Sequence, residues 1–575
     1  MRTLKGIPVS PGVAIAPAFL LRTADTMPTR RRIPRREVPG EHACFRSALA
    51  AARAELDHVV ESSGMGEAVI SIARSHKEFL ADPTLIREVE SAIENGPSPA
   101  DWAVASVLNR WIEIFKALED EFFRQRYVDL VDLKARVLRH IMAMDAPEKP
   151  SADAPAVLVA QELTPTETAD LDRSSILGFT TEFGGATSHT AIIAKSLSLP
   201  AVCGIGAALD VIPAGATVII DGEAGLVIVE PDQATLSHYR VRKQRLARRT
   251  ALLRRQAVLP AETLDGWPVG VFANIEFPFE VKEAVASGAD GIGLYRTEFL
   301  YSAEGGMPDE ETHLAAYREA LGHLHGRTLT IRTFDFGADK FASELGMVAE
   351  PNPFLGCRSI RYCFARPELF RTQLRAIMRA SAEGRISIMF PMISSITEMR
   401  RARTILGQVQ DELRIANLPF DANVHVGSMV EIPSMAVAAD LLAHEADFFS
   451  IGSNDLTQYT LAVDRTNERV ANLFRPSNPG VTRLLAQVIR EGVKAGIRVS
   501  ICGEMAAERP YTLLLLGLGV RHFSVAPGAV PEVKRVVRSV TRHEAQAIAA
   551  RALEFATPEE VDDYLIEETE RLIPE

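Results

Sequence analysis

The sequence predicts a multidomain α/β protein: a small α/β domain interrupted by a helical bundle, a connecting helix, and a C-terminal (β/α)8 barrel. Three observations lead there. The chain has 575 residues, too many for one hydrophobic core, so two or more domains are required. Short β-rich runs occur in the first ~20 residues and again over 154–230, with a purely helical pattern between them. From residue 261 onward, buried-strand patterns alternate with helical ones.

Taken in order, "PAVLVA", "ILGFTT", "TVIIDG" and "GLVIVEP" read as strands bounded by Gly and Pro. Between residues 35 and 148 the spacing is helical. Phe45, Leu49, Ala52, Leu56 and Val59 recur at intervals of three and four, as do Val104, Val107, Leu108, Trp111, Phe115 and Leu118. The second set follows "SPAD", with Ser98 placed as N-cap and Pro99 as the first helical residue. The simplest arrangement is a helical bundle, 31–149, inserted into an α/β domain made of 1–30 and 150–230. Residues 231–260 then form a linker with a long basic helix over 232–256. Its two readings are a solvated connector and a nucleic-acid contact; the acidic chain and the lack of interleaved aromatics favour the connector. Over 261–575, "VGVFANI", "DGIGLYRT", "LTIRTFDF", "ISIMFPMI", "HVGSMVEI", "FFSIGSND", "VSICGEM" and "HFSVAPG" make eight strand–helix units, the rhythm of a TIM-like barrel. A doubly wound open sheet is the alternative, and no glycine-rich dinucleotide fingerprint supports it.

Composition narrows the class. Hydrophobic residues make up 47% and charged residues 24%, as in ordinary globular proteins. The net charge of −12 argues against nucleic acid or an anionic membrane as main partner. No signal peptide and no run of about 18 apolar residues is found. The five cysteines are scattered, without a C-x-x-C pair, which fits a reducing cytoplasm and neither a disulfide framework nor a structural zinc site.

In a barrel the active site is built where strands run into βα loops. Those positions hold Arg296 after strand two and Arg332 after strand three, with Arg358 further on in "NPFLGCRSIR". Strand five ends in Glu431 and strand six in Asn454 and Asp455, with Arg465 beyond. Strand seven ends in Cys502, with Glu504 nearby. Several arginines can hold a phosphate and a carboxylate through paired hydrogen bonds of roughly 1.5–3 kcal/mol each. Glu431 and Asp455 beside such an anion point to an oxygen-ligated Mg²⁺. One arginine at a strand end is usually a surface ion pair; charged residues at successive strand ends are harder to dismiss. Cys502 reads either as a small buried hydrophobe or as an unperturbed thiol of pKa near 8.5 that protonates a carbanion-like centre.

"EFGGATSHTAIIAKSL", residues 182–197, has a flexible turn followed by an apolar helix. Thr187 or Ser188 can cap that helix, which places His189 at its positive end beside free backbone N–H groups. That position disfavours imidazolium and accepts a dianion on the ring, as a phosphoryl-accepting histidine needs. A cap or core histidine with one hydrogen bond is the other reading. No second ligand lies at metal spacing.

These stretches, with "GGATSHTAIIAKSLSLPAV", "LYRTEFLY", "IRTFDFGADK", "FPMISS", "GSMVEIPSMA", "FFSIGSNDLTQYTLAVDR" and "CGEMA", resemble Enzyme I of the bacterial phosphotransferase system, the phosphoenolpyruvate–protein phosphotransferases. The resemblance covers nearly the whole chain. It implies that His189 is the phosphorylated histidine and that Arg296, Arg332, Arg358, Asn454, Asp455 and Arg465 bind phosphoenolpyruvate. It further implies that Glu431 and Asp455 hold Mg²⁺ and that Cys502 protonates enolpyruvate to pyruvate. The helical insertion would dock the small carrier HPr, the barrel would form a homodimer, and the protein would be cytoplasmic, without nucleic-acid or membrane partners. In-line transfer needs the reacting atoms within about 3–3.5 Å, so the His189 domain must swing between barrel and carrier, with the ends of the 232–256 helix as hinges.

Some positions depart from the family pattern. Cys357 stands where tryptophan is usual, Thr466 where glycine is usual after "AVDR", and "GIGAALDV" follows the histidine helix. In "SIARSHKEFLADPTL", Lys77 and Glu78 replace an apolar surface, which bears on the identity of the carrier. The resemblance therefore leaves room for a paralogue serving a specialised or nitrogen-type regulatory relay. The chain's direct start at "GIPVSPGVAIAPAFLL" counts against a nitrogen-type enzyme with a sensory domain. An ATP-using dikinase would need a further nucleotide-binding domain, and a non-catalytic sensor would have lost His189, the arginines or the acid.

Overall fold

A computed structural model describes the chain outside residues 22–27, 30, 62–75, 78, 117–126, 143–153, 162–174, 185–198, 299, 302–306, 336–351, 466, 468 and 575. Two compact units divide it, Met1–Arg249 and Thr250–Glu575.

The first unit is built on eight strands: β1 (Arg2–Lys5), β2 (Ile7–Ser10), β3 (Val13–Leu21), β4 (Ala156–Ala160), β5 (Ile176–Thr181), β6 (Ala201–Cys203), β7 (Thr217–Asp221) and β8 (Leu226–Val229). They pair in the order β1-β8-β7-β3-β4-β5-β6-β2, with β3 through β6 parallel and the remaining pairs antiparallel. Consecutive strands β1 and β2 lie at opposite ends of that order, so the sheet curls until its edges meet at Gly6. Its N–H donates to Gly225 O at 2.9 Å. Glycine is needed there, because a Cβ would lie 2.5 Å from Cys203 O. β4 is apolar at every position because both of its faces are covered. Val157 and Val159 enter one core with Val218 and Ile220, while Leu158 and Ala160 enter another with Phe179 and Cys203.

The connection from β3 to its parallel neighbour β4 contains helices Val38–Glu61, Pro83–Glu94, Ala100–Lys116 and Tyr127–Met142. Phe45, Leu49, Ala52 and Leu56 are buried together with Val104, Val107 and Leu108, as their spacing predicts. Leu118 lies outside the described residues. Ser98 does something other than capping: its hydroxyl donates back to Ala92 O, and the Ala100 N–H is met by Glu41 Oε2 at 2.8 Å. A carboxylate from a neighbouring helix does the capping, which local sequence does not disclose. Lys77, one of the unusual positions, pairs with the Asp57 carboxylate. Glu78 and Thr466 lie outside the described residues.

Helix Gln233–Ala257 contains the division between the units. On its first half Tyr239 and Arg242 both bond Asp221 Oδ2, at 3.1 and 2.5 Å. Beyond its last residue the buried Lys534 ammonium donates to Ala257 O and Leu259 O, at 2.9 and 3.2 Å. A cation on terminal carbonyls complements the helix dipole.

The second unit is the predicted barrel. A short strand, β9 (Ala261–Glu262), pairs antiparallel with β10 (Pro268–Ile275). Parallel to β10 follow β11 (Ile292–Tyr295), β12 (Leu329–Arg332), β13 (Ile386–Phe390), β14 (His425–Val430), β15 (Phe448–Ile451), β16 (Arg498–Ile501) and β17 (His522–Val525). β17 pairs with β10 and β10 with β11, closing the ring of eight. All eight predicted strand segments form strands, and the open-sheet alternative is eliminated by that closure. A small inner layer of Leu294, Met389, Met429, Phe448 and Cys502 fills the barrel, while the main core lies between strands and helices. At its other end Trp267 lies under two guanidiniums, Arg521 and Arg542, with Cζ atoms 3.7 and 3.4 Å from the ring centroid. Two carbons that near one centroid must occupy opposite faces of the ring. Among the described residues, no helix is long and apolar enough to cross a membrane.

Burial pushes His313 and His522 down to about 4. Unfolded, each would take a proton near pH 6.5; folded, each stays neutral to about pH 4. Their contribution is therefore complete above pH 6.5 and is lost as pH falls toward 4, at up to about 1.4 kcal/mol per pH unit for each. Denaturant unfolding of the wild type should lose stability between pH 6.5 and 5, and a His313→Gln/His522→Gln variant should lose most of that slope. Equal slopes would contradict it.

Candidate active site

The sequence-predicted rim residues converge at the C-terminal mouth of the barrel. Arg332, the last residue of β12, is buried, and two carboxylates hold its guanidinium. Nη2 meets Glu298 Oε1 at 2.9 Å and Nη1 meets Asp335 Oδ2 at 2.6 Å. The other oxygen of Asp335 accepts from Arg358 Nη2 at 3.2 Å and from the Ser359 hydroxyl. One carboxylate, with 4% of its side chain exposed, thus spaces two guanidiniums. Both arginines hold it below the usual carboxylate range, against the opposing effect of burial. Arg358 also reaches Tyr459, whose hydroxyl donates to Phe354 O. Ser359 has φ +54°, a conformation that an L-residue tolerates only under constraint, and it stands directly after Arg358. Arg296 follows β11, is more exposed, and pairs with Glu276 at 2.8 Å.

Two strands further round the rim from Arg332, Glu431 follows β14 and is almost fully buried. Its Oε1 accepts from Met392 N at 2.6 Å. Met392 has φ +55°, which turns that N–H toward the carboxylate. Among the described residues, Oε2 of Glu431 has no hydrogen-bond partner. Gly452 makes room for it, since a Cβ there would lie 2.7 Å from Oε2. Burial, then the charges of Asp455 and Asp335, push Glu431 well above the carboxylate range. Asp455 and Asn454 occupy the first turn of helix Ser453–Leu461. Asn454 and Glu504 exchange hydrogen bonds, Nδ2 to Oε1 at 3.0 Å and Glu504 N to Oδ1 at 3.1 Å. Arg465 approaches the same Glu504 oxygen at 3.9 Å.

Cys502 caps the inner apolar layer. Its N–H donates to Ile451 O at 3.0 Å, its thiol reaches the same oxygen at 3.5 Å, and its carbonyl accepts from Asn274 Nδ2 at 3.1 Å. Burial pushes the thiol up to about 11, so the expectation of an unperturbed thiol is corrected. Leu294, Met389, Met429 and Phe448 replace the water that would solvate a thiolate. The thiol still carries its proton at neutral pH.

An anion entering this mouth would meet at least three guanidiniums, with the carboxylates of Glu431 and Asp455 beside them. A carboxylate pair with an orphaned buried oxygen fits a divalent cation. Among the described residues no three His, Cys, Asp or Glu converge into a ready-made cage, so an ion held by this pair would need oxygens from substrate or water. His189, with Thr187 and Ser188, lies outside the described residues. Sequence reasoning missed Glu298, Asp335, Ser359 and Tyr459. The first two lie within three residues of predicted arginines, a signal that an acidic neighbour at a barrel rim offers.

The family profile "PEP-utilising enzyme, PEP-binding domain" matches residues 250–542, "PEP-utilising enzyme, N-terminal" matches 5–126, and "PEP-utilising enzyme, mobile domain" matches 152–225. The phosphoenolpyruvate-protein phosphotransferase of Staphylococcus carnosus (strain TM300) is 38% identical over 570 residues, 99% of each chain. That of Staphylococcus aureus (strain MSSA476) is 39% identical over 563 residues, 97% of this chain and 98% of its own. The Listeria innocua protein of the same name is 39% identical over 562 residues, with the same coverage.

Proposed function

This chain belongs to the PEP-utilising enzymes, among the phosphoenolpyruvate-protein phosphotransferases, and from that membership we propose that it moves the phosphoryl group of phosphoenolpyruvate onto His189, releases pyruvate, and passes the group to a histidine of an HPr-like carrier. The observation that carries this reading is the barrel mouth, where Asp335 spaces Arg332 and Arg358 near Glu431, whose Oε2 has no partner among the described residues.

In this reading Arg296, Arg332, Arg358 and Arg465 share the phosphate and carboxylate of the substrate, with Asn454 as a neutral donor. Glu431 and Asp455 hold Mg²⁺, which when bound supplies positive charge against the phosphate oxygens. The arginines fix the phosphorus for in-line attack by a neutral ring nitrogen of His189. The phosphorus–oxygen bond to the enol breaks as the nitrogen–phosphorus bond forms, and the enolate of pyruvate is left among the guanidiniums. Cys502 gives its thiol proton to the methylene carbon, yielding pyruvate, and the thiolate recovers a proton from solvent. Residues 1–30 and 150–230 would carry the phosphohistidine, 31–149 dock the carrier, and 231–260 connect. Residues 261–575 would bind substrate and form a homodimer, all in the cytoplasm.

Incubation with labelled phosphoenolpyruvate and Mg²⁺ should give an acid-labile, base-stable phosphoprotein. His189→Ala should abolish the label, at least 10³-fold below wild type, since no second acceptor is proposed. Labelling of that variant at the wild-type level would refute the assignment.

A further inference from the structure

We propose that Thr297 and Gln373 are positioning residues for substrate binding, a buried side-chain clasp that sets the spacing between Arg296 and Arg332. The proposal rests on the reading of those arginines as phosphoenolpyruvate ligands.

The backbone ladder between β11 and β12 ends at Tyr295, paired with Ile331. Beyond it the chains part: Arg296 N turns to Ile275 O on one side, and Thr333 N to Met389 O on the other. Arg332 O is met by a side chain instead, the Thr297 hydroxyl, which donates to it at 3.0 Å. Gln373, from helix Pro367–Ala380, completes the clasp. Its Oε1 accepts from Phe334 N at 3.0 Å, and its Nε2 donates to Thr297 Oγ1 at 2.9 Å. Thr297 directly follows Arg296, and Phe334 lies between Arg332 and Asp335. One carboxamide therefore holds both strand ends from behind.

From Phe334 through Gln373 and Thr297 to Arg332 the proton arrangement has only one solution. Thr297 spends its hydrogen on Arg332 O, so it accepts from Gln373. The second hydrogen of Gln373 Nε2 points to Tyr317 OH at 3.4 Å, and that hydroxyl shares a hydrogen bond with His313 Nδ1 at 3.1 Å. Thr297, Phe334, Gln373 and Tyr317 are fully buried, so water cannot replace a lost member. The carboxamide both accepts from Phe334 and donates to Thr297. A methionine of similar length does neither.

Single-turnover labelling of the full-length chain at varied phosphoenolpyruvate, with Mg²⁺, tests this. Thr297→Val should raise the half-saturating concentration about tenfold and lower the melting temperature by a few degrees, with the maximal rate little changed, and Thr297→Ser should restore both. Gln373→Met should shift in the same direction as Thr297→Val. Unchanged half-saturation in both Thr297→Val and Gln373→Met would overturn the proposal. So would a loss of stability and maximal rate that Thr297→Ser shares, since that marks a packing role alone. Arg332→Gln separates the two levels. If it binds substrate like wild type, the ligand reading falls and this proposal with it; if it fails while Thr297→Val does not, only the clasp is wrong.

Discussion

Asp335→Asn is expected to weaken both the barrel and its substrate site, more than any other single change at a non-liganding position. The carboxylate is shared by Arg332 and Arg358 and receives the Ser359 hydroxyl as well. An asparagine keeps the volume but leaves two guanidiniums facing each other across a neutral group. Breaking a buried pair in this way costs about 3–5 kcal/mol. Denaturant unfolding should show that loss at pH 7. Because Asp335 is held below its ordinary value of 3.8, its contribution is present above that pH and lost as pH falls below it, so variant and wild type should converge in acid. Labelling from phosphoenolpyruvate should fall on the order of 10²-fold, since the spacing of the two guanidiniums goes with the charge. Glu298→Gln, which disturbs Arg332 alone, should be milder. Wild-type stability and labelling in Asp335→Asn would show that the Asp335 charge does not hold the pair.

Cys502→Ala should leave phosphoenolpyruvate binding within about threefold of wild type and reduce pyruvate formation by about 10²–10⁴-fold, the usual contribution of a positioned acid. The alanine fits the apolar layer of Leu294, Met389, Met429 and Phe448, so folding should survive. The proton donor is the protonated thiol, pushed up to about 11, so its supply should stay constant through pH 9 and decline only as pH rises toward 11. Stopped-flow detection of pyruvate across that range measures it. Turnover equal to wild type would return Cys502 to a packing role.

The rim was legible in the sequence because buried parallel strands are apolar almost throughout. A charged or polar residue where such a run ends therefore stands out, as Arg296, Arg332, Glu431 and Cys502 do. The groups that aim them were not legible. Asp335 lies three residues past its strand, and only the fold brings it to Arg358. Met392 acts through a backbone N–H, and its positive φ has no signature in a methionine. The rise in the Cys502 pKa comes first from burial, which neighbours on other strands provide. Gln373 did leave a trace: it occupies a buried position among Phe370, Leu374 and Ile377, where a helix stripe should be apolar. A lone amide in such a stripe is a request for partners. Ser98 was misread because Glu41, far away in sequence, performs the capping.

The chain has three tryptophans, and the fold distributes them unevenly. Trp102 and Trp111 belong to the helical insertion, whereas Trp267 is the barrel's own. Clamped between Arg521 and Arg542, its indole lies in the field of two fixed cations. Its emission is therefore set by stacked guanidiniums in the native barrel and by water once the barrel opens. A chain with Trp102 and Trp111 replaced by phenylalanine would carry a single optical reporter of one unit. The unfolding of the phosphoenolpyruvate-binding half could then be followed by fluorescence without interference from the other.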